Sequence, residues 1–379
     1  GEYNAALGSA ALYSLQTGAG SVGLGQSAGY NFTGGGGIFV GYEAGHGVAS
    51  GDVVFVGYQS GKRARGTGNT AMGYGTLYGA DSTAANNTGT SNTAIGQNAL
   101  KWFSKTIGST AVGAEAGYYT TGSYNSFFGY KAGHGGTTSA PYSSGTHNVA
   151  LGYNALGAFT TGNDNVAIGS AAGDAITSGY RNVTIGRYAG SAINTGTSNI
   201  ILGYAAGDAI TDTTNTVLIG ESAGGAINST DAAGTVAIGY QALQDLTSGQ
   251  NSVAVGYRAL ADLTTGDRNT SVGYGALDAI TTGNDNTALG WGAGGSTSNT
   301  TGTNNTFLGG SAGLGIINRN DNTFVGYRAG TNIRAGAGST IIGSHAGYDP
   351  KGATYSGSYN LFAGYGAGQH IGGDNVVAL

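Results

Sequence analysis

The chain has no cysteine, so it holds no disulfide and no zinc–thiolate site. Two prolines against 77 glycines exclude both collagen and a proline-rich linker. Charged residues make up only 9% of the chain, low for a globular surface. The net charge of −5 comes without a basic stripe, which argues against nucleic acid as a partner. No apolar run is long enough to span a bilayer, so no membrane insertion is expected. No secretory leader opens the sequence, and Asp374 to Leu379 reads as a repeat cut before its glycine.

What is present is a repeat. Asn165-Val166-Ala167-Ile168-Gly169-Ser170-Ala171-Ala172-Gly173 recurs with variation from one end to the other. Counted by its central glycine there are twenty-one copies, most of them sixteen or seventeen residues apart. A fixed short period is the signature of a stacked solenoid. The spacing grows to twenty-three after Gly73 and Gly129, and to twenty-one after Gly343. Insertions that leave their flanking repeats intact belong in surface loops.

The positions around the glycine carry the structural argument. The residue before it is bulky and apolar in every copy but that of Ala363. Three before it stands almost always Thr, Val or Ile, and four before it Asn in thirteen copies. Three after it is Ala in nineteen copies, with Ser60 and Thr76 the exceptions; four after it is only Gly or Leu. Apolar and β-branched residues at period two predict a strand of about five residues. Central glycines such as Gly96, Gly169 and Gly256 suit a tight bend or a close backbone approach. Alanines such as Ala99 and Ala172 suit a narrow interior, with Ile168 as a bulky repeat position beside them. The connecting Thr-Thr-Gly-Asn-Asp segments are turn chemistry. The expected fold is an all-β parallel β-solenoid of about 21 short rungs with almost no helix. At about 4.8 Å per rung that is a rod of roughly 100 Å. It is read as one continuous repeat domain over residues 1–379, a fragment of a longer fibre.

The residue two before the glycine is uncharged in every copy: Ala94, Phe127, Ala167 and Phe324 are examples. A strand apolar on both faces is buried on both faces. The expectation is a parallel assembly of several chains with these residues at the contacts. The competing possibility is a wider coil that buries both faces itself. An isolated rung cannot repay the entropy of ordering its residues; stacked rungs and neighbouring chains can.

Asn92-Thr93-Ala94-Ile95-Gly96-Gln97-Asn98-Ala99-Leu100 and Ser252-Val253-Ala254-Val255-Gly256-Tyr257-Arg258-Ala259-Leu260 resemble the head repeats of YadA-like trimeric autotransporter adhesins. They resemble more closely the longer repeats of bacteriophage tail fibres that often precede a self-cleaving chaperone domain. The resemblance covers essentially the whole chain. It implies a parallel β-roll, left-handed in the adhesins, three chains about one axis, and an extracellular place on a cell or virion surface. The period here is longer than in the adhesin heads, and the Thr-Thr-Gly turns differ.

Chemistry is sparse. His46 and His134 share a repeat position in distant copies and read as solvated turn residues rather than metal ligands. Asp164, Asp285 and Asp321 precede strands without the calcium-binding repeat pattern. No acid pair marks a glycosidase cleft. The sequence therefore predicts neither enzyme nor cofactor. Tyr follows the central glycine in eleven copies, with Trp291 in a twelfth, which predicts an aromatic ladder on stacked rungs. Edge packing between chains or a sugar-binding track are its two uses. The expected function is a structural fibre for extension, attachment and host or surface recognition. An ice- or surface-binding solenoid, or a self-assembling extracellular filament subunit, is the alternative. A glycan or protein on the host surface would be met by the loops Gly79 to Thr90 and Gly135 to Thr146, with Trp102, Phe103, Pro141 and Tyr142 as candidate recognition residues.

Overall fold

The computed structural model describes residues 1–48, 51–80, 87–139, 142–296, 300–316, 318–333, 336–349, 357–369, 371 and 373–379. They fall into two compact units, Gly1–Thr195 and Gly196–Leu379. Each unit is a parallel β-solenoid. In the first, eleven three-residue strands run from Ala5–Leu7 to Val183–Ile185. In the second, the strands run from Ile200–Leu202 to Val377–Ala378. Among the described residues the only helical turn is the 3₁₀ segment Thr230–Ala232.

Strands pair in register, one rung on the next. Val166, Ala167 and Ile168 face Val149, Ala150 and Leu151 on one side and Val183, Thr184 and Ile185 on the other. In the second unit Val253, Ala254 and Val255 lie against Val236, Ala237 and Ile238 on one side and Thr270, Ser271 and Val272 on the other. Equivalent residues therefore form columns.

The column of central glycines is required twice over. Gly169 has φ of 130°, and a Cβ placed on it would lie 2.6 Å from the carbonyl oxygen of Gly186 in the next rung. Gly96 and Gly256 repeat both features, with φ of 123° and 138° and carbonyl oxygens at 2.6 and 2.3 Å. A side chain at any of them would clash with backbone that has nowhere to move.

The interior is narrow, and the strand turns its middle residue into it. Ala94, Phe127, Ala167 and Phe324 are fully buried within their own coils. This corrects the expectation that they meet another chain, since they have no surface left to offer. The coil buries this face itself but leaves the other partly exposed, so it is not the wider coil that would bury both. The correction extends to Ile168, which points outward and is half-exposed. A strand alternates its side chains, so burying Ala167 puts Val166 and Ile168 outside. Ala99 and Ala172 are fully buried as expected. Where the alanine column is broken, Ser60 and Thr76 occupy consecutive rungs with their hydroxyls 2.9 Å apart, so two buried polar groups satisfy each other.

Two further columns complete the core. Seven residues after the glycine lies a large apolar side chain, as in Phe103, Phe159, Ile176, Ile227 and Leu263. Four before it lies asparagine, which the sequence presents as a strand boundary. Here it is a buried hydrogen-bond ladder. The Oδ1 of Asn148 accepts from both the backbone N–H (3.0 Å) and the Nδ2 (3.2 Å) of Asn165; Oδ1 of Asn165 does the same for Asn182. The Nδ2 of Asn165 also donates to Gly179 O at 2.9 Å. Asn269, Asn286, Asn305 and Asn322 repeat the pattern in the second unit.

Candidate functional site

The interior is given over to stacking, so a site has to be sought on the outside. Three outward features stand out.

The first is the strand face itself. Met72, Ile95, Val112, Phe128, Leu151 and Ile168 form a continuous in-register column in the first unit. These side chains remain substantially exposed, Leu151 at 49%. In the second unit Val272, Leu289, Leu308, Val325 and Ile342 form the same kind of column. The neighbouring column three before the glycine is Thr70, Thr93, Thr110, Ser126, Val149 and Val166 beside the first stripe, and threonine from Thr270 to Thr340 beside the second. Stripes of this kind are uncommon on monomeric proteins.

The second is the tyrosine ladder. Tyr42, Tyr58 and Tyr74 stack with ring centroids 5.1 and 5.2 Å apart and planes within 14°. Tyr240, Tyr257 and Tyr274 stack at 5.1 and 4.8 Å. Rung spacing sets these distances, and one face of each end ring stays open.

The third feature lies where the two six-residue insertions leave the first unit. Their stems are held by rung-like backbone bonds: Gly79 N–H donates to Lys101 O at 2.9 Å, and Ser143 N–H to Tyr119 O at 2.9 Å. The second loop contributes Tyr142 to an aromatic surface whose other rings, Tyr78, Trp102 and Tyr119, stand outside both loops. The Trp102 ring stacks on Tyr142 at 5.9 Å and meets Tyr78 edge-on at 6.3 Å; Tyr142 stacks in turn on Tyr119 at 5.9 Å. Basic groups cover these rings. Arg63 lies 5.2 Å from the Tyr78 ring centre, and Lys101 5.5 Å from Trp102 and 5.3 Å from Tyr118.

Trp102 and Tyr142, singled out separately from the sequence, are thus brought together. Phe103 is not part of this surface. It is fully buried, because it occupies the core column seven residues after Gly96. The regular recurrence of large apolar residues at that offset is the signal that would have removed it from the candidates. Pro141 lies outside the described residues. The sequence did not single out Tyr78, Tyr119, Lys101 or Arg63, whose proximity depends on which rung each loop leans against.

Electrostatics around this surface are local. Glu43 accepts from Lys62 Nζ at 2.5 Å and from Gln59 Nε2 at 2.7 Å. Burial acts to raise its pKa, but those hydrogen bonds, with the charges of Lys62 and His46, hold the carboxyl below its usual range. His134 stacks on Tyr118 at 5.4 Å rather than lying free in solvent as a turn residue would. Burial lowers its pKa, against the opposing pull of the Gly135 carbonyl and of Glu115. Burial, then the neighbouring Tyr119 and Tyr118, raises that of Tyr142. Among the described residues no three His, Asp or Glu side chains come together as a metal site would require.

No protein-family model matches the sequence, and no curated protein matches it.

Proposed function

We propose that the chain is the repeat-built part of an extracellular fibre, of the tail-fibre or adhesin-head kind, in which parallel copies associate through their outward strand faces. The single observation that carries this reading is the in-register apolar stripe, Met72 to Ile168 in the first unit and Val272 to Ile342 in the second. Its partner must match its repeat. A stripe with the period of stacked strands is best covered by another stripe of the same period, and a second copy in parallel supplies one. Three copies about one axis is the arrangement that the repeat resemblance favours. Such a fibre extends and attaches; its regular rungs serve stacking and its loops serve recognition.

The alternative of an ice- or surface-binding solenoid needs a flat array of free threonine hydroxyls. Here Thr160, Thr247, Thr264 and Thr281 each donate to a carbonyl of the following rung, at 2.9 to 3.1 Å. That turn column's protons are committed to stacking, which leaves this alternative the outward strand column Thr270 to Thr340 beside the apolar one.

The test is the mass of the particle. Native mass spectrometry or light scattering at micromolar concentration is expected to give three chains. A stable monomer under those conditions overturns the reading.

A further inference from the structure

One surface groove has a composition unlike the rest of the molecule. It measures about 220 Å³ and is lined by Gln59, Tyr74, Gly75, Tyr78, Lys101 and Trp102. All six belong to the first unit. The groove begins where the tyrosine ladder Tyr42–Tyr58–Tyr74 ends: the next residue in that column is Gln97, and Tyr74 is 52% exposed. Across from it stand the rings of Tyr78 and Trp102. Between Tyr74 and Tyr78 the lining includes Gly75, where a Cβ would lie 2.7 Å from Asn98 Oδ1.

Charge is concentrated in the same place. Six of the chain's fourteen basic residues, and only two of its nineteen acidic ones, lie between positions 62 and 131, although the chain as a whole is acidic. Lys62 is neutralised by Glu43. Among the described residues no carboxylate lies within ion-pair distance of Arg63 or Lys101. Lys101 donates one proton to Tyr118 Oη at 3.3 Å and retains two. Their attraction to the Tyr78 and Trp102 rings holds both cations at the rim.

We propose that this groove binds an acidic saccharide, one carboxylate-bearing sugar ring stacking between Tyr74 and the Tyr78–Trp102 wall while Lys101 and Arg63 take its carboxylate. The chemistry matches part by part. A pyranose ring offers a flat C–H face to an aromatic ring, and the exposed ring of Tyr74 presents one. Lys101 lines the groove, and an anion there meets a cation that has no carboxylate partner among the described residues. The Gln59 amide donates to Glu43, so its carbonyl is left to accept a sugar hydroxyl. The groove is too small and open for an enclosed organic ligand, which usually occupies about 300 Å³ or more. It fits one ring of a chain that continues over the surface. The inference rests on the attachment role proposed above and says what would be attached to.

Trp102 is its own reporter. With Trp291→Phe as background, tryptophan emission of the full chain comes from Trp102 alone. Titration with hexagalacturonate is expected to change that emission saturably, with a Kd on the order of 10⁻⁴ M. Tyr74→Ala and Lys101→Gln, each checked for an unchanged far-ultraviolet dichroism spectrum, are expected to weaken binding at least about tenfold, equivalent to about 1.4 kcal/mol. Cellohexaose, with the same ring faces and no carboxylate, should bind more weakly than the uronate. The inference is overturned by no saturable change, by affinity that survives Tyr74→Ala, or by an oligothymidylate binding as tightly as the uronate, since stacking plus charge would then serve any single-stranded polyanion. Particle mass measured on the same sample keeps the two proposals apart. A trimer that does not bind sinks only the groove, and a monomer that binds sinks only the fibre.

Discussion

A Cβ placed on Gly133 would lie 2.3 Å from the ring of Phe127, six residues earlier in the same rung. The relationship recurs: Gly330 stands so against Phe324, Gly45 against Phe39 and Gly313 against Phe307, at 2.2 to 2.5 Å. Wherever leucine replaces that glycine, as in Leu100, Leu156 and Leu260, the strand residue opposite shrinks to Ala94, Ala150 and Ala254. The space between these two positions is therefore filled from one side or the other in these rungs. Phe127→Ala alone is expected to cost about 3–5 kcal/mol. Gly133→Leu alone overpacks the rung and costs about 1–3 kcal/mol. The double variant should be more stable than Phe127→Ala by itself, because leucine at that left-handed position is already accommodated at Leu100, with φ of 45°. Chemical denaturation of the four proteins checks this; strictly additive losses would show that the two sites do not share space.

Ala167 and Ile168 are neighbours that face opposite ways, and aspartate at each should fail differently. At Ala167 it buries a charge with no partner inside the coil, so the fold is expected to be lost, visible as loss of the β-sheet dichroism band. At Ile168 it lands on the outward stripe. There the expected result is a lower particle mass with the dichroism spectrum retained. Dissociation without unfolding by Ala167→Asp would reverse this assignment of faces.

Asn165 supports two rungs at once. Removing its side chain takes from the buried backbone N–H of Asn182 the acceptor it uses at 3.0 Å. Such a loss costs about 1–3 kcal/mol. Asn165→Ala is therefore expected to destabilise the first unit more than Thr161→Ala, on an exposed turn of the same stretch. Hydrogen exchange should show the loss at Asn182 first, since that amide loses its acceptor directly. Unchanged protection at Asn182 would contradict the ladder.

Half-buried aspartates set the response to pH. Burial raises the carboxyl pKa of Asp174, Asp208, Asp262 and Asp278, and for Asp278 the nearby Asp262 adds to it. The folded chain then binds these protons more tightly than the unfolded chain does, so stability increases as pH falls from neutral through the raised values. His134 acts in the opposite sense, because its folded pKa is lowered and protonation below its ordinary range favours unfolding. Glu43, held low, is lost as a stabilising group only at more acidic pH. His134 acts first as the pH falls from neutral and the carboxyls only in the more acidic range of their raised values, so the melting temperature is expected to fall as His134 charges and the four aspartates to offset that loss at lower pH. Asp278→Asn should raise the melting temperature at neutral pH and have less effect in acid. A gain on Asp278→Asn that is the same at neutral and acid pH would overturn this account.

How far the sequence alone reaches can be judged from particular residues. The period of the glycines and the parallel stacking of short strands follow from local pattern, although the strands are at most three residues long where the pattern predicts about five. Each rung repeats the same short-range requirements: a residue at Gly169 that accepts positive φ, β-branched residues before it, and a turn after it. What the pattern left open was direction. Alternation fixes that Ala167 and Ile168 face opposite ways, but not which of them faces in; the bulkier one looks like core. Only the closed rung decides it. The coil is so narrow that Ala167, Ala172 and Ile176 already fill it, and Ile168 is left outside. The asparagine ladder was hidden for a related reason, because a turn residue and a buried ladder residue have the same identity and differ only in what lies one rung away. The surface around Trp102 and Tyr142 depends on stacking too. Forty positions separate them in the sequence, and the return of the chain to the same face of the coil brings their rings to 5.9 Å.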